Sequence, residues 1–233
     1  MLNPSQLTLA VELNDEARFE NYFAGIDNQQ IVESLSSLAV SDRDKFVYLW
    51  GTAFAGKSHL LQAACHQADL ENNTALYVSL KESNALSPEI FEGCHLLSVV
   101  CIDDLDAVVG QPEWEQALFT LYNQLKESGT ALIISADVSA KNLNIGLPDL
   151  QSRLQSMLVF NLTNLNDTDK KQALQHRAKQ RGFNLSDAVA DYIIVRSGRG
   201  FDELMKVLDT LDATSLVQQR KLTVPLVKAT LHW

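Results

Sequence analysis

Residues Lys45 to Leu61, KFVYLWGTAFAGKSHLL, decide the fold. An apolar, β-prone run, Phe46 to Trp50, breaks off at Gly51-Thr52-Ala53-Phe54-Ala55-Gly56-Lys57-Ser58. Apolar residues then return at helical spacing: Leu60, Leu61, Ala64, Cys65 and Ala68. A strand, a glycine-bounded turn and a helix follow in the order that a phosphate-binding loop requires. The glycines let the backbone curl until its N–H groups point at a phosphate, and the helix N-terminus adds partial positive charge there. Lys57 can reach the β- and γ-phosphates, and the Ser58 hydroxyl is placed for Mg²⁺. Gly51, Gly56, Lys57, Ser58 and His59 are therefore the expected phosphate-binding set.

Outward from that loop, buried strands and amphipathic helices alternate. Thr74 to Leu80 is a β-rich run, and His95 to Asp104 is a near-continuous apolar run ending in two carboxylates. Ala131 to Ala136 and Met157 to Leu162 complete a five-stranded sheet. Near-continuous apolar runs suit strands covered on both faces of a parallel sheet. Helices are expected over Gln29 to Leu38, Gln111 to Ser128 and Pro148 to Gln155, the last with proline in its first turn. Pro88 to Phe91 reads as a helical turn, and Phe19 to Asn28 as an aromatic-rich loop. From Asn166 onward no strand pattern remains. Helices are expected over Asp167 to Gln180, Asp187 to Arg196 (capped by Ser186), Phe201 to Arg220 and Thr223 to Leu231. The chain thus divides into a segment over residues 1–14, an α/β base over residues 15–165 and a small all-α lid over residues 166–233.

The 233 residues are 46% hydrophobic, ample for a sizeable core. A net charge of −10 argues against a broad nucleic-acid-binding face, which needs clustered Lys and Arg. The three cysteines form no C-x-x-C pair, so a reducing, cytoplasmic setting is expected rather than a disulfide framework or a zinc site. No run approaches the length of a membrane span, and no signal sequence opens the chain.

Asp103 and Asp104 end a buried strand. In phosphate-loop nucleotidases a carboxylate at this place holds Mg²⁺, which assigns the metal to Ser58 and Asp103. Asp104 is placed to polarise a water, although Asp is one methylene shorter than the Glu common there. Ser135 and Asp137, at the end of the next strand, are candidates for sensing a γ-phosphate. Arg153 lies in the first turn of the helix opening at Pro148, with Leu150 and Leu154 turned inward.

Together the phosphate loop, the Asp-Asp strand end, the Ser-Ala-Asp strand end, the L-P-D-L-x-S-R-L segment and the helical lid resemble an AAA+ ATPase. Phe19, Asn21, Tyr22, Gly25 and Asn28 are similar to the F-x-N-F-x-x-G-x-x-N stretch of the DnaA branch. The arm Gln6-Leu7-Thr8-Leu9-Ala10-Val11 resembles the Q-L-x-L peptide that docks on the bacterial sliding clamp. A clamp peptide on a DnaA-like AAA+ module, with no DNA-binding domain after the lid, resembles the Hda family of regulatory inactivators.

That resemblance implies a role. Such proteins, with clamp loaded on DNA, stimulate hydrolysis of DnaA-bound ATP and so block re-initiation of replication. It implies an adenine nucleotide, ADP or ATP, with Mg²⁺, and a base pocket lined by Tyr22, Gly25 and Asn28, with Asp137 at the phosphate end. It implies Arg153 as an arginine finger acting in trans, and clamp docking through Gln6, Leu7, Leu9 and Val11. DnaA and the DNA polymerase III sliding clamp are the implied partners; a homo-oligomer and weak or indirect DNA contact are implied further, with nucleoid association through clamp and DnaA. Two departures stand out. Ala10-Val11 replaces the frequent Pro-Leu ending, and Asp202, with Arg199 nearby, occupies the usual place of a lid sensor arginine. Two other functions compete: a self-sufficient ATPase that loads or remodels another replication protein, and a direct DNA-binding initiation factor, which the acidic charge opposes.

Overall fold

A computed structural model describes residues 13–38, 45–197, 200–218 and 222–233. The segment carrying Gln6, Leu7, Leu9 and Val11 lies outside the described residues, as does Arg199. The chain separates into two compact units, through Leu162 and from Thr163 to Trp233.

The first unit is built on five parallel strands: β1 Phe46–Trp50, β2 Ala75–Ser79, β3 Val99–Asp103, β4 Ala131–Ala136 and β5 Leu158–Asn161. Their order is β2-β3-β4-β1-β5. β1, which feeds the phosphate loop, therefore sits beside β4, and β3, which ends in the carboxylates, lies one strand further on. Side chains alternate between the two faces of each strand. Val47, Leu49, Cys101 and Ile133 face α1 (Gln29–Ser36) and α2 (Lys57–Leu70), meeting Ile31, Leu35, Leu60, Leu61 and Ala64. Tyr48, Val100, Ile102, Leu132 and Ile134 face the other way, onto Leu118, Leu121 and Leu125 of α3 (Pro112–Ser128) and Leu150 and Leu154 of α4 (Pro148–Gln155). Burial on both faces explains why β3 and β4 read as unbroken apolar runs.

The third strand is shorter than the apolar run that announced it. Cys94–Leu96 forms a 3₁₀ turn, and Leu96 is 77% exposed. Ser98 and Val99 N–H both donate to Thr74 O, where the pairing with β2 begins. The strand ends because Asp104 takes a left-handed backbone, φ 59° and ψ 49°.

The second unit contains α5 Asp167–Gln180, α6 Asp187–Arg196, α7 Phe201–Gln218 and α8 Val224–Leu231. Its core joins Leu174 and Ala178 to Val189, Ala190 and Ile193, then to Leu204, Leu208, Leu211 and Val227. Asn166 caps α5, its side chain accepting the Asp169 N–H at 2.9 Å. Ser186 occupies the corresponding place before α6 without a side-chain cap; its carbonyl accepts Val189 and Ala190 N–H instead. Among the described residues no helix is long and apolar enough to cross a membrane.

Candidate nucleotide-binding site

The C-terminal ends of β1, β3 and β4 meet at one edge of the sheet, with β2 alongside. A parallel sheet gathers its binding groups at that edge. The turn after β1 is shaped by two glycines. A Cβ on Gly51 would lie 2.4 Å from Leu162 O, so only glycine lets the loop leave the strand there. Gly56 holds φ +93°, and a Cβ on it would lie 2.7 Å from Tyr22 Cε2. Between them Phe54 also takes a left-handed backbone, φ 66°, with its ring 60% exposed. A bulky residue in that region is an outlier, of the strained kind found at functional loops.

Lys57 opens α2 and is buried. Its ammonium donates to Gly51 O at 2.8 Å, to Thr52 O at 3.2 Å and to Asp137 Oδ1 at 2.8 Å. All three of its N–H donors are thus aimed at the mouth of the loop. Ser58 follows in the first turn and is exposed. Asp137 is half exposed, and its backbone N–H donates to both oxygens of Asp106, at 2.9 and 3.0 Å. Burial pushes the Asp106 carboxyl above the usual carboxylate range, opposed by that backbone hydrogen bond.

Asp103 is 1% exposed, and both its oxygens are engaged. Tyr77 donates its hydroxyl to Oδ2 at 2.8 Å, and Ser135 donates to Oδ1. Burial, then the Asp103 charge, holds the Tyr77 hydroxyl far above its ordinary range, so it stays a donor. Ser135 also accepts the Asp104 N–H at 3.1 Å. Ser135 is therefore a fully buried brace between the two aspartates rather than a group facing a phosphate. Oxygen donors such as Ser58 and Asp103 fit a Mg²⁺ that takes its other ligands from phosphate and water. Among the described residues no cluster of three His, Cys, Asp or Glu side chains could hold a metal alone.

Asp104 is held differently. Lys81 Nζ lies 2.7 Å from Oδ1, with the lysine side chain 68% and the aspartate 8% exposed. The Ser79 hydroxyl donates to Oδ2 at 3.1 Å. That bonding to Asp104 raises the Lys81 ammonium above its usual range against the opposing effect of burial. Sequence reasoning missed Lys81, Ser79 and Tyr77. The usable signal was the β2 strand end, Tyr77-Val78-Ser79-Leu80-Lys81, which a parallel neighbour of β3 sets beside the two aspartates; the register pairs Ser79 with Asp103.

The aromatic segment packs onto the loop. Phe19–Asn21 is a 3₁₀ turn, and Tyr22 donates its hydroxyl to Ala55 O at 3.2 Å. The Tyr22 and His59 rings lie 5.5 Å apart, and the His59 ring nitrogen Nε2 is 2.9 Å from Arg18 O. Burial pushes the Tyr22 hydroxyl far up, a hydrogen bond with Asn28 pulling it partly back. Asn28 is buried immediately before α1, and Gly25 forms the turn that joins it to Tyr22. Tyr22, Gly56 and His59 thus meet at the loop, with Asn28 reaching Tyr22.

Arg153 stands apart from this cluster. It belongs to the last turn of α4, not the first, because α4 begins at Pro148 and ends at Gln155. Its guanidinium lies over the Tyr122 ring, 5.6 Å from the centroid, and among the described residues it has no carboxylate partner. Asp202 is the second residue of α7; its side chain lies outside the described residues.

The family model of the bacterial DnaA ATPase domain matches residues 13–164, and that of the Hda lid domain matches residues 167–231. Among solved structures, domain III of the Thermotoga maritima replication initiation protein DnaA superposes with a TM-score of 0.78 at 19% identity, covering 94% of this chain and 97% of that one. AMPPCP-bound DnaA from Aquifex aeolicus gives 0.74 at 19% identity, over 90% of this chain and 69% of that one. The Thermotoga maritima RuvB Holliday junction branch migration motor gives 0.62 at 17% identity, over 92% and 73%. At these identities the structures speak for the fold, and the family models speak for descent: the chain belongs to the bacterial DnaA ATPase domain family of AAA+ proteins and carries an Hda-type lid.

Proposed function

We propose that the chain is a regulator of DnaA which binds an adenine nucleotide at its own phosphate loop and promotes hydrolysis of the ATP held by DnaA, acting with the DNA-loaded sliding clamp. The observation that carries this reading is a contrast between two groups. Asp104, the carboxylate placed to polarise water in the chain's own site, is neutralised by Lys81 at 2.7 Å. Arg153, by contrast, has a guanidinium without a carboxylate partner among the described residues. A restrained base in the site, and outside it an arginine with no carboxylate partner among the described residues, suit a protein that keeps its own nucleotide and assists a neighbour.

In this reading Gly51, Gly56 and Lys57 hold the phosphates and Tyr22, Gly25 and Asn28 line the base pocket. His59 braces Tyr22, and Asp137 releases Lys57 as phosphate arrives. Ser58 and Asp103 would hold Mg²⁺, which supplies charge neutralisation between phosphate oxygens. Arg153 would lie against the phosphates of the DnaA-bound ATP, stabilising charge that develops there. Gln6, Leu7, Leu9 and Val11 would dock on the clamp, two leucines supplying about 3–6 kcal/mol before ordering costs.

The test loads DnaA with labelled ATP and follows the bound label with and without the chain, clamp and DNA. Accelerated loss of ATP that needs both the chain and the clamp is expected. Equal decay with and without the chain would end the proposal, and acceleration that survives Leu7→Ala with Leu9→Ala would remove the arm from it.

A further inference from the structure

Arg153 sits on a helix fastened at both ends to α3. At the first end, the buried Glu115 carboxylate accepts three backbone N–H groups: Gly110 at 2.8 Å, Gly146 at 3.1 Å and Leu147 at 2.9 Å. Gly146 and Leu147 lead directly into α4. At the second end, Tyr122 meets Arg153 through its ring and Ser156 through its hydroxyl, at 3.4 Å. Ser156 in turn donates to Arg153 O at 2.7 Å.

The spacings match. Glu115 and Tyr122 are seven positions apart, about 10.5 Å along α3 and close to the same helical face. Leu147 and Arg153 are six positions apart, about 9 Å along α4. The two helices therefore run side by side in the same direction, with α4 tied near its start and near its end. The Tyr122 ring is itself fixed. It is buried, and Phe46 of β1 packs edge-on against it with centroids 4.8 Å apart.

A guanidinium over the face of a fixed ring loses little of its charge and much of its freedom. Among the described residues no carboxylate competes for it. We propose that Tyr122 is a positioning residue, whose ring holds the Arg153 guanidinium in the orientation in which it meets the phosphates of a neighbouring nucleoside triphosphate. The inference rests on the reading of Arg153 as a group that acts in trans.

Three variants separate the possibilities in single-turnover hydrolysis of ATP preloaded on DnaA, with clamp and DNA present. Arg153→Ala should abolish stimulation. Tyr122→Leu, which removes the ring, should lower it by about 3- to 30-fold. Tyr122→Phe, which keeps the ring and drops the hydroxyl, should stay within about twofold of the parent protein. Full stimulation by Arg153→Ala sinks the finger reading itself. Loss with Arg153→Ala but none with Tyr122→Leu leaves the finger intact and overturns the role of Tyr122. A Tyr122→Phe defect as large as that of Tyr122→Leu also overturns it.

Should Tyr122→Leu fail to fold, the arginine side-chain N–H spectrum decides. The Arg153 Nε–H signal, assigned by its absence in Arg153→Lys, should be ring-current shifted upfield in both the parent protein and Tyr122→Phe. A signal at the free-arginine position in the parent protein would overturn the proposal.

Discussion

Replacing Gly56 by alanine tests the geometry of the phosphate loop in two ways at once. The residue holds φ +93°, and the new Cβ would approach Tyr22 Cε2 to 2.7 Å. Carbon atoms in contact prefer about 3.5–4.0 Å, so the ring must move by roughly 1 Å. Its hydroxyl is tied to Ala55 O at 3.2 Å and its face rests against His59, so movement breaks a hydrogen bond and a ring contact. The left-handed backbone costs about 1–2 kcal/mol for an L-residue, and the lost hydrogen bond about 0.5–1.5 kcal/mol. The smaller entropy of an unfolded alanine returns about 0.4–1 kcal/mol. The net destabilisation is about 0.5–3 kcal/mol, or a fall of about 1–12 °C in the melting temperature of the α/β unit.

Gly110 supplies the control. It has φ +81°, but a Cβ there meets nothing within 4 Å, so Gly110→Ala reports backbone strain alone. Thermal melts of the two variants, with and without ADP, separate the terms. Gly56→Ala should melt lower than Gly110→Ala and lose most of the ADP-induced shift, and Tyr22→Ala should reduce the penalty of Gly56→Ala. If Gly56→Ala melts with Gly110→Ala and keeps the parent ADP shift, the contact between Tyr22 and the loop is irrelevant to nucleotide binding.

Removing the cation beside Asp104 by Lys81→Met should raise slow intrinsic ATP hydrolysis by about tenfold, a fraction of the 10²–10⁴ that a positioned base supplies; unchanged or slower turnover would show that Lys81 does not restrain Asp104. Asp137→Asn removes the negative charge paired with Lys57 and should tighten ADP binding by up to about fivefold at low salt, the gain shrinking as salt rises; weaker binding in titration calorimetry would assign Asp137 to the nucleotide instead. Burial pushes the Cys94 thiol up to about 11 and the Cys101 thiol well above its usual range, so thiolate becomes available only at alkaline pH. Both should resist iodoacetamide at pH 8 in the folded protein and react once it is denatured, as mass spectrometry would reveal; rapid native alkylation would contradict their burial.

Much of the fold could be read because apolar runs and helical spacing are local signals. Phe46–Trp50 and Ala131–Ala136 occupy the expected strands, and Pro148–Gln155, Asp167–Gln180 and Asp187–Arg196 the expected helices. The run from His95 misled because a 3₁₀ turn and a strand can both be apolar, and nothing local separates Cys94–Leu96 from Val99–Asp103. The candidate site was legible wherever one motif carried it, as at Gly51 to Ser58. It was illegible where strands far apart in sequence supply a single cluster. Tyr77, Ser79 and Lys81 come from β2, Asp103 and Asp104 from β3, and Ser135 from β4; only the strand order and register bring them together. Helical spacing on α3 likewise marks Tyr122 as part of the buried face and carries no sign of the guanidinium lying over its ring.

The central claim is that Arg153 acts on ATP held by another protein. The most direct measurement is the single-turnover rate of ATP hydrolysis on DnaA, with clamp and DNA, for Arg153→Ala and Arg153→Lys beside the parent chain. Fingers supplied in trans are worth about 10³–10⁵ in rate, and lysine keeps the charge without the two-pronged donor geometry. Both variants are expected to melt as the parent does, to hold nucleotide and to leave DnaA-bound ATP nearly unhydrolysed. Hydrolysis stimulated by Arg153→Ala as fast as by the parent chain would contradict the claim.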